Sequence, residues 1–147
     1  MATAHTYSTL RMTRRLRRLR SSESMRALVR ETRLSPDNLV LPLFVCEGEG
    51  VRREVGSMPG VFNLSVDEAV KEAAAARAEG VNGVLLFGIP DHKDDIGSSA
   101  YDPEAPVQAA VRAIKREVPG MLVISDVCLC EYTDHGHCGL LIDGEIA

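Results

Sequence analysis

Three cysteines, Cys128, Cys130 and Cys138, fall within eleven residues near the end of this 147-residue chain, with His135 and His137 between them. Thiolates at such density suit zinc, a borderline-soft ion. Three protein ligands leave a fourth position for water or substrate, as a catalytic site does, whereas a structural site would normally use four. His137, or less readily His135, could supply a fourth ligand, or a histidine there could stand behind the ligands and hold solvent. Burial as small apolar residues is the ordinary fate of free cysteines, but it does not account for three Cys and two His in one loop. The spacing is Cys-x-Cys rather than the Cys-x-x-Cys of a redox pair. Asp126 precedes the cluster by two residues. It is either a strand-end turn carboxylate or an acid placed to orient an amine or water beside a cation. Cys46 lies far upstream, so a disulfide framework is not expected.

The elements that must position these groups follow from hydrophobic patterning. Leu39 to Val45, Gly83 to Gly88 and Met121 to Asp126 are continuous apolar runs of strand length, as in a parallel sheet covered on both faces. Pro42 offers no ladder donor, so a bend or an unpaired position is expected there. A short helix is expected at about 22–32, with Met25, Leu28 and Val29 on one face, followed by a turn at Ser35 to Asn38. Glu47 to Asn63 reads as a loop with room for an extended piece. Ser65 and Glu68 form a capping-box pattern. It opens a helix with the stripe Val66, Ala69, Val70, Ala73 and Ala76, stopped by Gly80. Asp102-Pro103 is expected to open another helix, with Val107, Ala110, Val111, Ile114 and Val118 inward and Pro119-Gly120 as its stop.

Strand, helix, strand, helix, strand is a repeated βαβ pattern, hence an α/β fold with a parallel sheet. The cysteine segment begins where the third strand runs out, at the sheet edge where active sites sit. If the backbone stays extended, Asp126, Cys128 and Cys130 share a face, and the glycine-flanked loop 134–139 brings Cys138 back to them. Three strands cannot close a barrel, and helices on one side would leave the other sheet face bare. The pattern is therefore expected to continue beyond Ala147.

The composition is that of a globular protein, 45% hydrophobic and 26% charged, with a formal net charge of −4 that gives no reason to expect nucleic acid as the main partner. Residues 1–22 carry six arginines and no acid, leaving about −10 on the rest. This basic segment reads as an arm docking on an acidic surface of its own or a neighbouring subunit, in preference to a targeting peptide. Without a long apolar run, neither a signal peptide nor a membrane span is expected, and a soluble, cytoplasmic protein is.

The segment Asp126-Val127-Cys128-Leu129-Cys130-Glu131-Tyr132-Thr133-Asp134-His135-Gly136-His137-Cys138-Gly139 resembles the zinc loop of the 5-aminolevulinate dehydratase (porphobilinogen synthase) family. Leu41 to Val45, Ser57-Met58-Pro59-Gly60, Leu86 to Pro90, and Tyr101-Asp102-Pro103 to Lys115 agree in the same order, so the resemblance runs from about residue 12 onward. It implies a TIM (β/α)8 barrel, incomplete here: a basic N-terminal arm at 1–22, then about the first three βα units and the zinc loop within 23–147. It implies an arm that embraces a neighbouring subunit, in homo-oligomers that are usually octamers. It implies a lyase that condenses two 5-aminolevulinate molecules to porphobilinogen with loss of water, on the path to haem and other tetrapyrroles. Cys128, Cys130 and Cys138 match the Zn2+ ligands of its cysteine-type members. Some relatives carry carboxylates or other residues there and do not use that zinc. Asp126 matches an acid lining the substrate cavity, and a separate Mg2+ requirement of the full-length protein stays open.

The family's Schiff-base lysines come from later strands and match no position here. Of Lys71, Lys93 and Lys115, the first and last fall on polar helix faces. Lys93 lies on the correct sheet edge, but Asp94 and Asp95 beside it should keep it charged, which is wrong for Schiff-base chemistry. The chain alone is therefore expected to lack synthase activity. The alternative is a non-catalytic zinc-binding or assembly module made of a half-barrel.

Overall fold

A computed structural model describes residues 17–146. The described residues divide into two compact units, one ending at Leu34 and the other beginning at Ser35. In the first, the described residues form a 3-10 turn at Arg17–Arg20 and a short helix α1, Glu23–Leu28. The Ser22 hydroxyl caps α1 by accepting from the Met25 amide. This helix is shorter than the expected 22–32. Apart from 17–22, the expected basic arm lies outside the described residues.

The second unit is built on β1 (Val40–Cys46), β2 (Arg52–Glu54), β3 (Phe62–Leu64), α2 (Val66–Ala78), β4 (Gly83–Ile89), α3 (Pro106–Glu117) and β5 (Leu122–Ser125). The strand order is β2-β3-β1-β4-β5, with β3, β1, β4 and β5 parallel and β2 antiparallel to β3. The three expected strands are its centre and one edge. β2 and β3 are extended pieces in and just after the segment 47–63, for which the sequence pattern allows one. A two-strand hairpin, β6 (Leu141–Ile142) and β7 (Glu145–Ile146), turns through Asp143-Gly144, both with positive φ. This backbone suits a tight two-residue turn.

Pro42 causes no break: the β1–β4 ladder runs through it from Val40↔Gly83 to Cys46↔Ile89. Pairing with β3 begins only at Phe44, so the side of β1 facing β3 has no ladder to lose at Pro42. Ser65 is the N-cap of α2, but the capping box does not form. Its hydroxyl instead accepts from the Val51 amide at 2.9 Å and donates to Asp67 at 2.5 Å, while Glu68 pairs with Lys71. α3 starts at Ala105-Pro106 rather than Asp102-Pro103. The Asp102 carboxylate accepts from the Glu104 amide and its carbonyl from the Ala105 amide, so this segment makes a turn of its own ahead of the helix.

One face of the sheet is closed by α2 and α3. Leu43, Val45, Val84 and Leu86 pack with Ala69 and Ala73 of α2 and Val107, Ala110 and Ile114 of α3. The opposite face is apolar and open: Val40 is 46% exposed, Leu122 58% and Ile124 38%. Phe44 and Phe87 stack there with centroids 5.5 Å apart. This is the bare face expected of a βαβαβ unit taken alone.

Candidate metal centre

The cysteine loop leaves β5 at the C-terminal edge of the sheet. The Asp126 amide still donates to the Leu86 carbonyl at 3.0 Å, and the ladder ends there. Extended geometry does not persist beyond it. The Tyr132 and Thr133 amides both donate to the Leu129 carbonyl, so the chain curls at Cys130. In a strand, residues two apart are separated by roughly 6.6 Å along the axis; the curl brings the Cys128 and Cys130 sulfurs to 3.1 Å. A second turn, with Gly136 at φ +74 and the Thr133 hydroxyl donating to the His137 carbonyl at 3.0 Å, returns Cys138 to 2.8 Å from Cys128.

Cys128, Cys130 and Cys138 thus form a group whose sulfurs lie within 4.8 Å of one another. All are free thiols, the first two half-buried and Cys138 exposed. Hydrogen bonds from Cys138, from the Cys130 amide and from the Cys130 thiol hold Cys128 below the ordinary thiol range. Donation to Cys128 pushes Cys130 up to about 12, and Cys138 is raised by the same partner. Neighbouring sulfurs this close cannot all be anionic unless a positive charge sits among them. The donor set therefore fits a thiophilic dication. Zinc with bonds of about 2.3 Å would hold tetrahedral sulfurs roughly 3.8 Å apart, so binding requires a modest opening of the triangle.

Neither histidine joins the thiols. The His135 ring accepts from the His137 amide through Nδ1 at 3.1 Å, which leaves Nε2 to donate to the Asp95 carbonyl at 3.3 Å. His137 stacks on His135 with centroids 5.5 Å apart. Asp126 is half-buried, and its carboxylate accepts from the Val127 amide at 2.9 Å. It lines a cavity of about 300 Å³ with Gln108, Ser125 and Tyr132. Cys46 sits buried at the end of β1, outside the cluster, its thiol pushed up by burial.

Two residues with no sequence signal of their own anchor the loop to β4. Glu131 accepts from the Gly88 amide at 3.1 Å, and the buried ring of Tyr132 lies so close to Gly88 that a Cβ there would fall 2.3 Å from its oxygen. Only glycine fits that contact. Burial raises the Glu131 carboxyl, the Asp126 carboxylate raises it further, and Lys93 opposes both. Lys93 and Glu131 line a cavity of about 150 Å³ with Gly88, Ile89 and Pro90. Lys71 is paired with Glu68, and Lys115 donates to the Met121 carbonyl.

The sequence profile of delta-aminolevulinic acid dehydratase matches residues 13–147. This chain belongs to that family. It is 50% identical over 136 residues to the delta-aminolevulinic acid dehydratase of Methanothermobacter thermautotrophicus, a match covering 91% of this chain and 41% of the relative. Against that of Helicobacter pylori it is 49% identical over 137 residues, covering 92% of this chain and 42% of the relative. The chain thus spans about two fifths of these dehydratases. A crystal structure of the Toxoplasma gondii ME49 dehydratase in complex with its reaction product porphobilinogen superimposes with TM-score 0.85 at 33% identity, over 94% of this chain and 40% of that one. The described sheet and helices are accordingly part of the dehydratase TIM barrel, as the βαβ pattern and the zinc-loop resemblance led one to expect.

Proposed function

We propose that this chain carries the zinc-binding part of a porphobilinogen synthase, which condenses two 5-aminolevulinates to porphobilinogen with loss of water. The observation that carries the reading is the convergence of three thiols at the C-terminal edge of a barrel sheet in a member of this family. Cys128, Cys130 and Cys138 would hold the ion, and Asp126 would face the substrate amine or water from the strand end. Zinc held there would supply a Lewis acid toward a carbonyl or amine of one substrate. The residues of this chain bind and orient. Asp126 offers a fixed carboxylate, and Glu131 and Tyr132 keep the loop on the end of β4.

Ketone activation through a Schiff base needs a neutral lysine in a desolvated pocket. Lys71 and Lys115 are engaged on the helix side, and Lys93 faces the Glu131 carboxyl. The 147 residues alone are therefore expected to form no porphobilinogen, and turnover of 5-aminolevulinate by the purified chain would overturn this. The surrounding readings, a homo-oligomer joined by the basic arm and a cytoplasmic location, belong to the same proposal. Among the described residues, no helix is long and apolar enough to cross a membrane. The competing reading, a non-catalytic zinc module, draws on the same lysine placement. Zinc analysis tests the metal assignment common to both: one equivalent per chain is expected, lost in Cys130→Ala. Unchanged zinc content in that variant would refute the ligand set.

A further inference from the structure

We infer that Asp94 is a positioning residue for the three-thiol centre, holding the segment after β4 in the shape that pins the cysteine loop from outside. The inference rests on the zinc reading above and deepens it. The Asp94 backbone forms a parallel bridge with Thr133, which lies between Cys130 and Cys138. Its amide donates to the Tyr132 carbonyl at 3.4 Å, and its carbonyl accepts from the Asp134 amide at 3.0 Å.

The side chain explains why this segment keeps its shape. One carboxylate oxygen accepts from the Ile96 amide at 3.2 Å and the Ser98 amide at 2.9 Å, and the other accepts from the Ser98 hydroxyl. These bonds close a turn in which Gly97 takes a left-handed φ of +63. The Gly97 backbone packs on the loop: a Cβ built there would lie 3.4–3.5 Å from Thr133, Tyr132 and Leu129 side-chain atoms. The Asp95 carbonyl of the same turn takes the His135 bond. Thr133, held by Asp94, in turn donates to the His137 carbonyl next to Cys138.

The Asp94 carboxylate bonds within its own turn, and the Asp95 and Gly97 backbone of that turn meets residues 129–135. Without it the loop would lose its outer support, and metal binding would have to order it, which weakens affinity. Partners that bond metal ligands directly are worth about 10–100-fold in metal affinity, and Asp94, acting through the backbone of the loop, falls toward the lower end of that range.

Titration of the chain with Zn2+ against a chromophoric chelator, together with Co2+ spectra that report thiolate-to-cobalt charge transfer, tests this. Asp94→Ala is expected to lower zinc affinity about tenfold or more and to weaken the charge-transfer band per bound cobalt. Asp94→Asn, which keeps an acceptor for the two amides, should recover part of both. Asp91→Ala, in the same connection but outside these bonds, should match the unaltered chain. Wild-type affinity and spectrum in Asp94→Ala would overturn the inference. Should that variant lose its fold by circular dichroism, Ser98→Ala decides: a smaller loss of affinity supports the inference, and no loss overturns it. If the unaltered chain itself gives no thiolate–cobalt band, the zinc reading fails, and this inference fails with it.

Discussion

The two faces of the central sheet differ in what they do. The face under α2 and α3 is closed, with Val45, Val84, Leu86 and Ile114 fully buried. The opposite face carries residues of the same chemical type, Val40, Leu122 and Ile124, and leaves them in solvent. In β1, Val45 faces the helices and Val40 the solvent, and in β5 Val123 packs toward the core while Leu122 and Ile124 are exposed, since successive residues point to opposite sides. One face supplies the folding free energy of this unit. The other stays open, and the thiol cluster lies at the C-terminal edge of the sheet.

The largest effect is expected at that edge. Cys138→Ala should weaken zinc binding by more than about a hundredfold, beyond what loss of a supporting group costs. Competition titration measures it, and a change within threefold would break the link between edge and metal. On the closed face, Ile114→Ala should cost about 3 kcal/mol in urea unfolding. Ile124→Ser on the open face should stay within about 0.5 kcal/mol, and equal losses would erase the contrast between the faces. Gly88, where the closed face meets the cysteine loop, sharpens it further. A methyl in Gly88→Ala would strike the Tyr132 ring, at a cost of about 1–3 kcal/mol by thermal unfolding.

The smallest effect is electrostatic and lies away from the metal. Bonds from the Ser65 hydroxyl and the Gly50 amide hold the Asp67 carboxyl below its ordinary range. Its contribution is therefore present above the unfolded value of about 3.9 and is lost as pH falls through the lower folded value. Asp67→Asn should lower stability slightly at neutral pH and reduce the loss of stability below about pH 4. A variant with an unchanged acid limb would show that the bonds do not matter.

How far the sequence could be read depends on the range of the interaction. β1, β4 and β5 were legible because a buried strand needs an unbroken apolar run. α2 and α3 were legible because a one-sided helix needs a stripe. The start of α3 was misplaced because Asp102-Pro103 is as good a turn as a cap, and the choice depends on where the helix must land on the sheet. The extended piece allowed for in Glu47 to Asn63 could not be placed, because the three residues of β3 carry no period and become a strand only through their neighbours β1 and β2. Pro42 signals a bend or an unpaired position, and the structure leaves it unpaired only on the side facing β3 while the β4 ladder runs through, because the harm of a missing donor depends on which strand lies alongside.

By composition and spacing alone, the chain determined that thiols would gather near the end of a parallel strand and that a half-covered sheet would result. Both follow from residue types and short separations. Only the tertiary structure decided how the sulfurs meet, through a curl at Cys130 and not strand alternation, and only it left both histidines outside the group. Only it paired Asp94 with Thr133 and pressed Tyr132 onto Gly88. Those contacts join residues some forty positions apart, and hydrogen bonds and close packing at that separation leave no local pattern in the sequence.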